Sequence, residues 1–193
     1  MTILILGLVI FLGVHSVRIV ADGWRNTVRA RIGENGWKGA YSLLSLLGFV
    51  LICYGYGVAR QQPLVLWATP PMWTRHLAAL LTLPAFVLLA ASQVPGTIIK
   101  AKLRHPMLLG VKLWATAHLI ANNTAADVLL FGSFLVWAAI DFRAARQRDR
   151  AQQTGYPAGR SGPTLVAVAA GLVAWAVFAF WAHNVLIGVR PFG

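Results

Sequence analysis

Six apolar runs, most of them about as long as a bilayer's hydrocarbon layer is thick, leave this chain few folds to choose from. Crossing that layer takes about 20 mostly apolar residues, within a range of roughly 17–25. The runs extend from Thr2 to Ala21, Ala40 to Val58, Met72 to Val94, Pro106 to Ala121, Ala125 to Ile140 and Thr164 to Ile187. The fourth and fifth are short, so they either tilt little or borrow flanking residues. Only 11% of the residues are charged and 58% are hydrophobic, whereas a water-soluble domain carries roughly a quarter charged residues. Such a chain cannot cover a soluble surface, so its outer surface faces lipid. The expectation is an all-α, polytopic membrane helical bundle of about six transmembrane helices. It forms a single domain over residues 1–193, without an internal repeat.

Where the charges fall gives an orientation. The net charge is +12, from 17 Lys and Arg against 5 Asp and Glu. On a soluble protein this would suggest nucleic acid. Here the basic residues lie in the gaps between apolar runs, which suits anionic headgroups and excludes a nucleic-acid partner. One set of alternate gaps holds 13 of the 17: Arg18 to Lys38, Lys100 to Arg104, and Arg143 to Arg160. The positive-inside rule then puts both termini on the non-cytoplasmic side of a bacterial inner (cytoplasmic) membrane. The first run has no basic residue before it and no small-x-small cleavage site after it, so it reads as a retained helix rather than a signal peptide.

Local signals refine the boundaries. Pro106 suits the first position of a helix, where its missing N–H costs nothing. Thr124-Ala125-Ala126-Asp127 reads as a capping box, which gives Asp127 a structural role. Asn122-Asn123 reads as a tight hairpin, and the glycines and prolines from Gly155 to Pro163 as a flexible loop. Ser42, Ser45 and Gly48 line one side of the second helix and favour close helix packing. The single cysteine, Cys53, reads as a small buried apolar residue.

Polar groups deep in a bilayer are costly and tend to mark function. His15 and His118 are the most central histidines, at depths that differ by under roughly 10 Å on a 1.5 Å rise per residue. Two imidazoles from different helices can hold a haem iron axially; the plainer alternative is two unrelated histidines, each bonded to a backbone carbonyl or to a Ser/Thr hydroxyl. Arg18, one turn beyond His15, can bind an anionic group such as a propionate or form an i, i+4 pair with Asp22. Lys112 is the one basic residue within a span, either snorkelling to the headgroups or buried for function. His105 stands at the cytoplasmic rim, and Asn122 shares the His118 face of its helix.

The stretch Arg104 to Asn123, RHPMLLGVKLWATAHLIANN, resembles the NnrU family, which is associated with nitrogen-oxide reduction in denitrifying bacteria. The resemblance continues through AADVLLFGSFLVWAAID, His15-Ser16 with Arg18, and RNTVRARIGENGWKGAYSLLS. Related membrane proteins include the zeta-carotene isomerase, which holds haem b. The resemblance implies haem b with His15 and His118 as metal ligands, and His105 as a further family position. It points to nitrogen-oxide metabolism or a redox-coupled isomerisation. A non-enzymatic accessory or assembly role beside a respiratory oxidoreductase is the alternative. Ala117 stands where the isomerase is expected to have an acidic neighbour, which sets this chain apart from carotene chemistry. Arg104-His105-Pro106 also resembles the Arg-His-Pro-x-Tyr motif of isoprenylcysteine methyltransferases, which helps bind S-adenosylmethionine. Leu108 replaces the tyrosine, and no glutamate follows Glu34.

Overall fold

A computed structural model describes residues 1–192, and all of its regular elements are helical. They are α1 (Thr2–Val20), α2 (Asp22–Ala59), α3 (Met72–Gln93), α4 (Ile98–Leu103), α5 (Pro106–Ala121), α6 (Ala125–Ala151), α7 (Ser161–Val177) and α8 (His183–Ile187). A five-residue π-helical stretch, Phe178–Ala182, joins α7 to α8 without a break. Five helical stretches are long and apolar enough to cross a membrane, and the 16-residue α5 is shorter. At 1.5 Å per residue α5 covers about 24 Å against a hydrocarbon layer of about 30 Å. Many large apolar side chains are exposed, among them Val9, Leu43, Leu46, Leu80, Leu165 and Leu186. Lipid is the solvent that makes such a surface stable.

Two compact units make up the chain: residues 1–66 with 124–133, and residues 67–123 with 134–193. In the first, α1 and α2 pack through glycine. A Cβ built on Gly7 would lie 2.6 Å from the Ile52 backbone nitrogen, and one on Gly48 would lie 2.7 Å from that of Phe11. A Cβ on Gly55 would strike the Leu4 backbone. With no hydrophobic drive between helices in lipid, such backbone approach is what makes their contact tight. Gly48 thus behaves as its spacing suggested, whereas Cys53 of the same helix, expected to be buried, is exposed on the apolar outer surface. The gap expected between the first two spans is helical instead. It is the front part of α2, which Gly33 breaks at φ 77°. Glycine reaches that conformation at little steric cost.

The first turn of α6 also lies in this unit. The Thr124 hydroxyl accepts from the Asp127 N–H at 3.3 Å, and the Asp127 carboxylate accepts from the Thr124 N–H at 3.1 Å. This is the expected capping box. Asp127 is only 5% exposed and does more than cap. It also accepts from the Thr124 and Tyr56 hydroxyls, each at 2.5 Å, and so ties α6 to the end of α2.

In the second unit α3 packs against α5 and α7. A Cβ on Gly110 of α5 would lie 2.9 Å from the Ala85 carbonyl oxygen, and one on Gly171 of α7 would lie 2.5 Å from the Val87 Cα. The Trp175 indole donates to the Thr82 hydroxyl at 3.2 Å. Pro106 opens α5 as expected. The Gly/Pro-rich segment before α7 is pinned rather than slack. The Arg160 N–H donates to the Gly96 carbonyl at 2.9 Å, and Gly159 lies against the Thr97–Ile98 backbone so closely that a Cβ would collide with it. The 27-residue α6 spans about 40 Å at 1.5 Å per residue, so a run of about ten residues or fewer, bearing its arginines, extends past the hydrocarbon.

Candidate functional site

His15 belongs to the first unit and His118 to the second, and both carry the same local device. His15 Nδ1 lies 2.6 Å from the Phe11 carbonyl oxygen, and His118 Nδ1 lies 2.8 Å from that of Trp114, each one helical turn back. A carbonyl can only accept, so Nδ1 bears the proton in each ring and Nε2 bears the lone pair of the neutral imidazole. Each ring is also held by an aromatic neighbour on its own helix. Phe11 stacks on His15 at 4.2 Å, with Tyr41 at 5.2 Å; Trp114 lies 5.2 Å from His118. Of the two partners that the plain structural alternative allowed, a backbone carbonyl or a Ser/Thr hydroxyl, each ring has the carbonyl. The same bond is also what orients a metal-ligating imidazole.

The companions of these histidines divide. Arg18 is exposed in the last turn of α1. The i, i+4 pair with Asp22 does not form, because α1 ends at Val20 and Ala21, at φ −144°, breaks the helical register. Asp22 instead starts α2 and faces Arg25 at 3.5 Å. The Asn122 side chain donates to the His118 carbonyl at 2.8 Å, which satisfies one of the orphaned acceptors at the end of α5. Lys112 is half-buried, and its ammonium sits 4.1 Å from the centre of the Phe142 ring. An aromatic face is an attractive seat for a partly desolvated cation. Ala117 is fully buried, a place where an unpaired carboxylate would be costly.

A second cluster in the same unit was hidden in the sequence. The His105 Nε2 lies 2.8 Å from Asp149 Oδ2, and the Tyr156 hydroxyl donates to that same oxygen at 2.9 Å. Both side chains of the His105–Asp149 pair are largely buried, at 19% and 10% exposure. The Arg104 guanidinium lies over the Tyr156 ring at 5.5 Å. Arg104 has φ 67° and ψ −52°, and the His105 N–H donates to the Leu103 carbonyl at 2.8 Å. That is a classic γ-turn, a rare and strained backbone for a non-glycine residue. It turns the chain sharply between α4 and α5 and sets His105 at the start of α5. Burial raises the Tyr156 phenol above its ordinary pKa, and the Asp149 carboxylate it bonds raises it further, against the opposing charges of Arg104 and Arg146. Asp149 lies 44 residues from His105, so no local motif links them. The available signal was an acid inside the Arg143–Arg150 run, where nothing else calls for one.

Among the described residues no three His, Cys, Asp or Glu side chains gather into a metal-ion site. These features define a polytopic, all-helical membrane protein with two helix-tethered intramembrane histidines and a half-buried His–Asp–Tyr cluster. The chain belongs to the NnrU family, described as NnrU protein, whose match covers residues 3–191. No curated protein and no solved structure matches it.

Proposed function

We propose that this NnrU-family protein of the bacterial inner membrane binds haem b, which His15 and His118 would hold, and serves nitrogen-oxide metabolism. The observation that carries the reading is the matched pair of Nδ1 tethers at 2.6 and 2.8 Å. Each commits the ring to the tautomer whose Nε2 can donate to iron, and each fixes the ring plane. A haem takes only two protein donors, so the reading calls for no larger cluster of ligands. Bound haem supplies one-electron chemistry. The residues of the chain supply orientation: Phe11 and Trp114 hold the imidazoles through their carbonyls and rings. Arg18, exposed one turn beyond His15, is the cation available to a propionate.

The test is a reduced-minus-oxidised optical spectrum of the full chain purified from haem-replete cells. The expected result is a b-type Soret and α band that is lost or shifted in His15→Ala and in His118→Ala. A featureless wild-type spectrum, or one that neither substitution changes, overturns the assignment.

A further inference from the structure

The cytoplasmic end of α6 carries four arginines, and the structure separates them into two kinds. Arg148 faces Asp141 at 3.4 Å and is neutralised within the protein. Arg143, Arg146 and Arg150 make no ion pair among the described residues. Together with Phe142 and Gln147 these three line an open groove of about 460 Å³. The one other carboxylate on this part of the helix, Asp149, is occupied by His105 and Tyr156.

The order of the lining residues carries the argument. They fall at i, i+1, i+4, i+5 and i+8, one stripe about 12 Å long at the helical rise. Phe142 lies at the end of the stripe nearest the hydrocarbon, and Arg150 at the far end. Phe142 is flanked by the Lys112 ammonium at 4.1 Å and the Arg146 guanidinium at 6.0 Å. The headgroup layer on each side of a bilayer is about 5–8 Å deep, so the stripe crosses it from the acyl boundary to water. A ligand that matches is apolar at one end, anionic in the middle and anchored in the leaflet. We propose that this groove is a dedicated site for the phosphodiester of an anionic glycerophospholipid, gripped by Arg143, Arg146 and Arg150, with its glycerol end against Phe142. Guanidinium forks suit phosphate oxygens, and a partly dehydrated position strengthens the contact.

The experiment uses the full chain in nanodiscs of phosphatidylcholine mixed with phosphatidylglycerol, with bound lipid read by native mass spectrometry. Wild type should retain phosphatidylglycerol well above its share of the bilayer. An arginine near an anionic surface contributes about fivefold, so R143Q/R146Q/R150Q should lower that preference by up to on the order of a hundredfold. R143K/R146K/R150K should keep much of it, and R25Q/R29Q, on α2, whose arginines are already ion-paired with Asp22 and Glu34, should leave it intact. Circular dichroism establishes that each variant is helical. If the triple glutamine variant does not fold, wild type titrated with salt gives the answer, because preference must fall as screening rises. Unchanged enrichment in a folded glutamine variant, equal loss in R25Q/R29Q, or salt-insensitive enrichment overturns the proposal. Displacement of the lipid by inorganic phosphate at comparable concentration overturns the lipid assignment in favour of a free anion.

Discussion

Asp127 is where sequence and packing meet most closely, and the structure gives its removal a magnitude. Asp127→Ala deletes the acceptor for the Thr124 N–H at 3.1 Å and for the Thr124 and Tyr56 hydroxyls at 2.5 Å each. Loss of the carboxylate's half of the capping box, with the Thr124 hydroxyl still accepting the residue-127 N–H, costs about 1 kcal/mol, as a typical hydrogen bond does. A hydrogen bond to a charged group in a soluble protein contributes about 1.5–3 kcal/mol. Interhelical polar contacts within membranes average only about 0.6 and reach about 1.7 kcal/mol, because the unfolded reference still finds partners in lipid. Asp127 sits in the first turn of α6, near the membrane rim, and is 5% exposed. The upper part of the membrane range, about 1–1.5 kcal/mol, is therefore assigned to the Tyr56 bond. Asp127→Ala should lower stability by about 2–2.5 kcal/mol in all. Tyr56→Phe should cost about 1–1.5 kcal/mol, and Asp127→Asn less than Asp127→Ala, because asparagine still caps. The assay is equilibrium unfolding in mixed micelles, arranged as a double-mutant cycle. The double variant Y56F/D127A should fall short of the sum of the singles by about 1 kcal/mol. Strict additivity would show that the Tyr56–Asp127 contact contributes nothing and would refute the reasoning.

Two further tests follow from the packing and the polar cluster. Gly55→Leu should destabilise α1 against α2 by at least about 1–3 kcal/mol, because the added carbon meets the Leu4 backbone and not a movable side chain. Gly57→Leu, where nothing lies within 4 Å, is the matched control and should unfold at the wild-type midpoint; equal midpoints for both variants would refute the seam. The Tyr156 pKa is raised by burial and by Asp149. A group whose folded pKa exceeds its unfolded value stabilises fully below the unfolded value, about 10, and loses that stabilisation as pH rises through the folded value. Proteolysis of residues 152–160 should therefore stay slow at neutral pH and quicken only on the alkaline side of about pH 10. Tyr156→Phe should remove that alkaline step.

The large architecture was legible because lipid imposes a length and a composition on every span, and the chain obeys both. The Thr124–Asp127 box and Pro106 were legible because caps depend on residues three positions apart or fewer. Asp127's second duty to Tyr56 was not, since 71 residues separate the two. The helical character of the segment from Asp22 to Lys38 was hidden by its charge, which resembles a loop when read only for hydrophobicity. The backbone tethers of His15 and His118 were among the bonds the sequence allowed, and helical geometry selects the i−4 carbonyl as the acceptor. The His105–Asp149–Tyr156 cluster could not be anticipated, because its members meet only once the γ-turn at Arg104 and the pinned segment before α7 are in place.

The carboxylates explain why so basic a chain is not an ion-pair scaffold. All five acids are engaged: Asp22 with Arg25, Glu34 with Arg29 and Lys38, Asp127 with Tyr56 and Thr124, Asp141 with Arg148, and Asp149 with His105 and Tyr156. Two of the five therefore hold tyrosines, at contacts that tie one element to another, and only three meet lysine or arginine. That leaves the net charge of +12 to be met from outside the chain. Much of this charge lies in segments beside the ends of the spans, where the leaflet's own anions are densest. The protein thus uses its scarce acids to fix its internal geometry and leaves many of its bases without an acid of its own, and α6 shows both within ten residues, at Asp149 and at Arg143, Arg146 and Arg150.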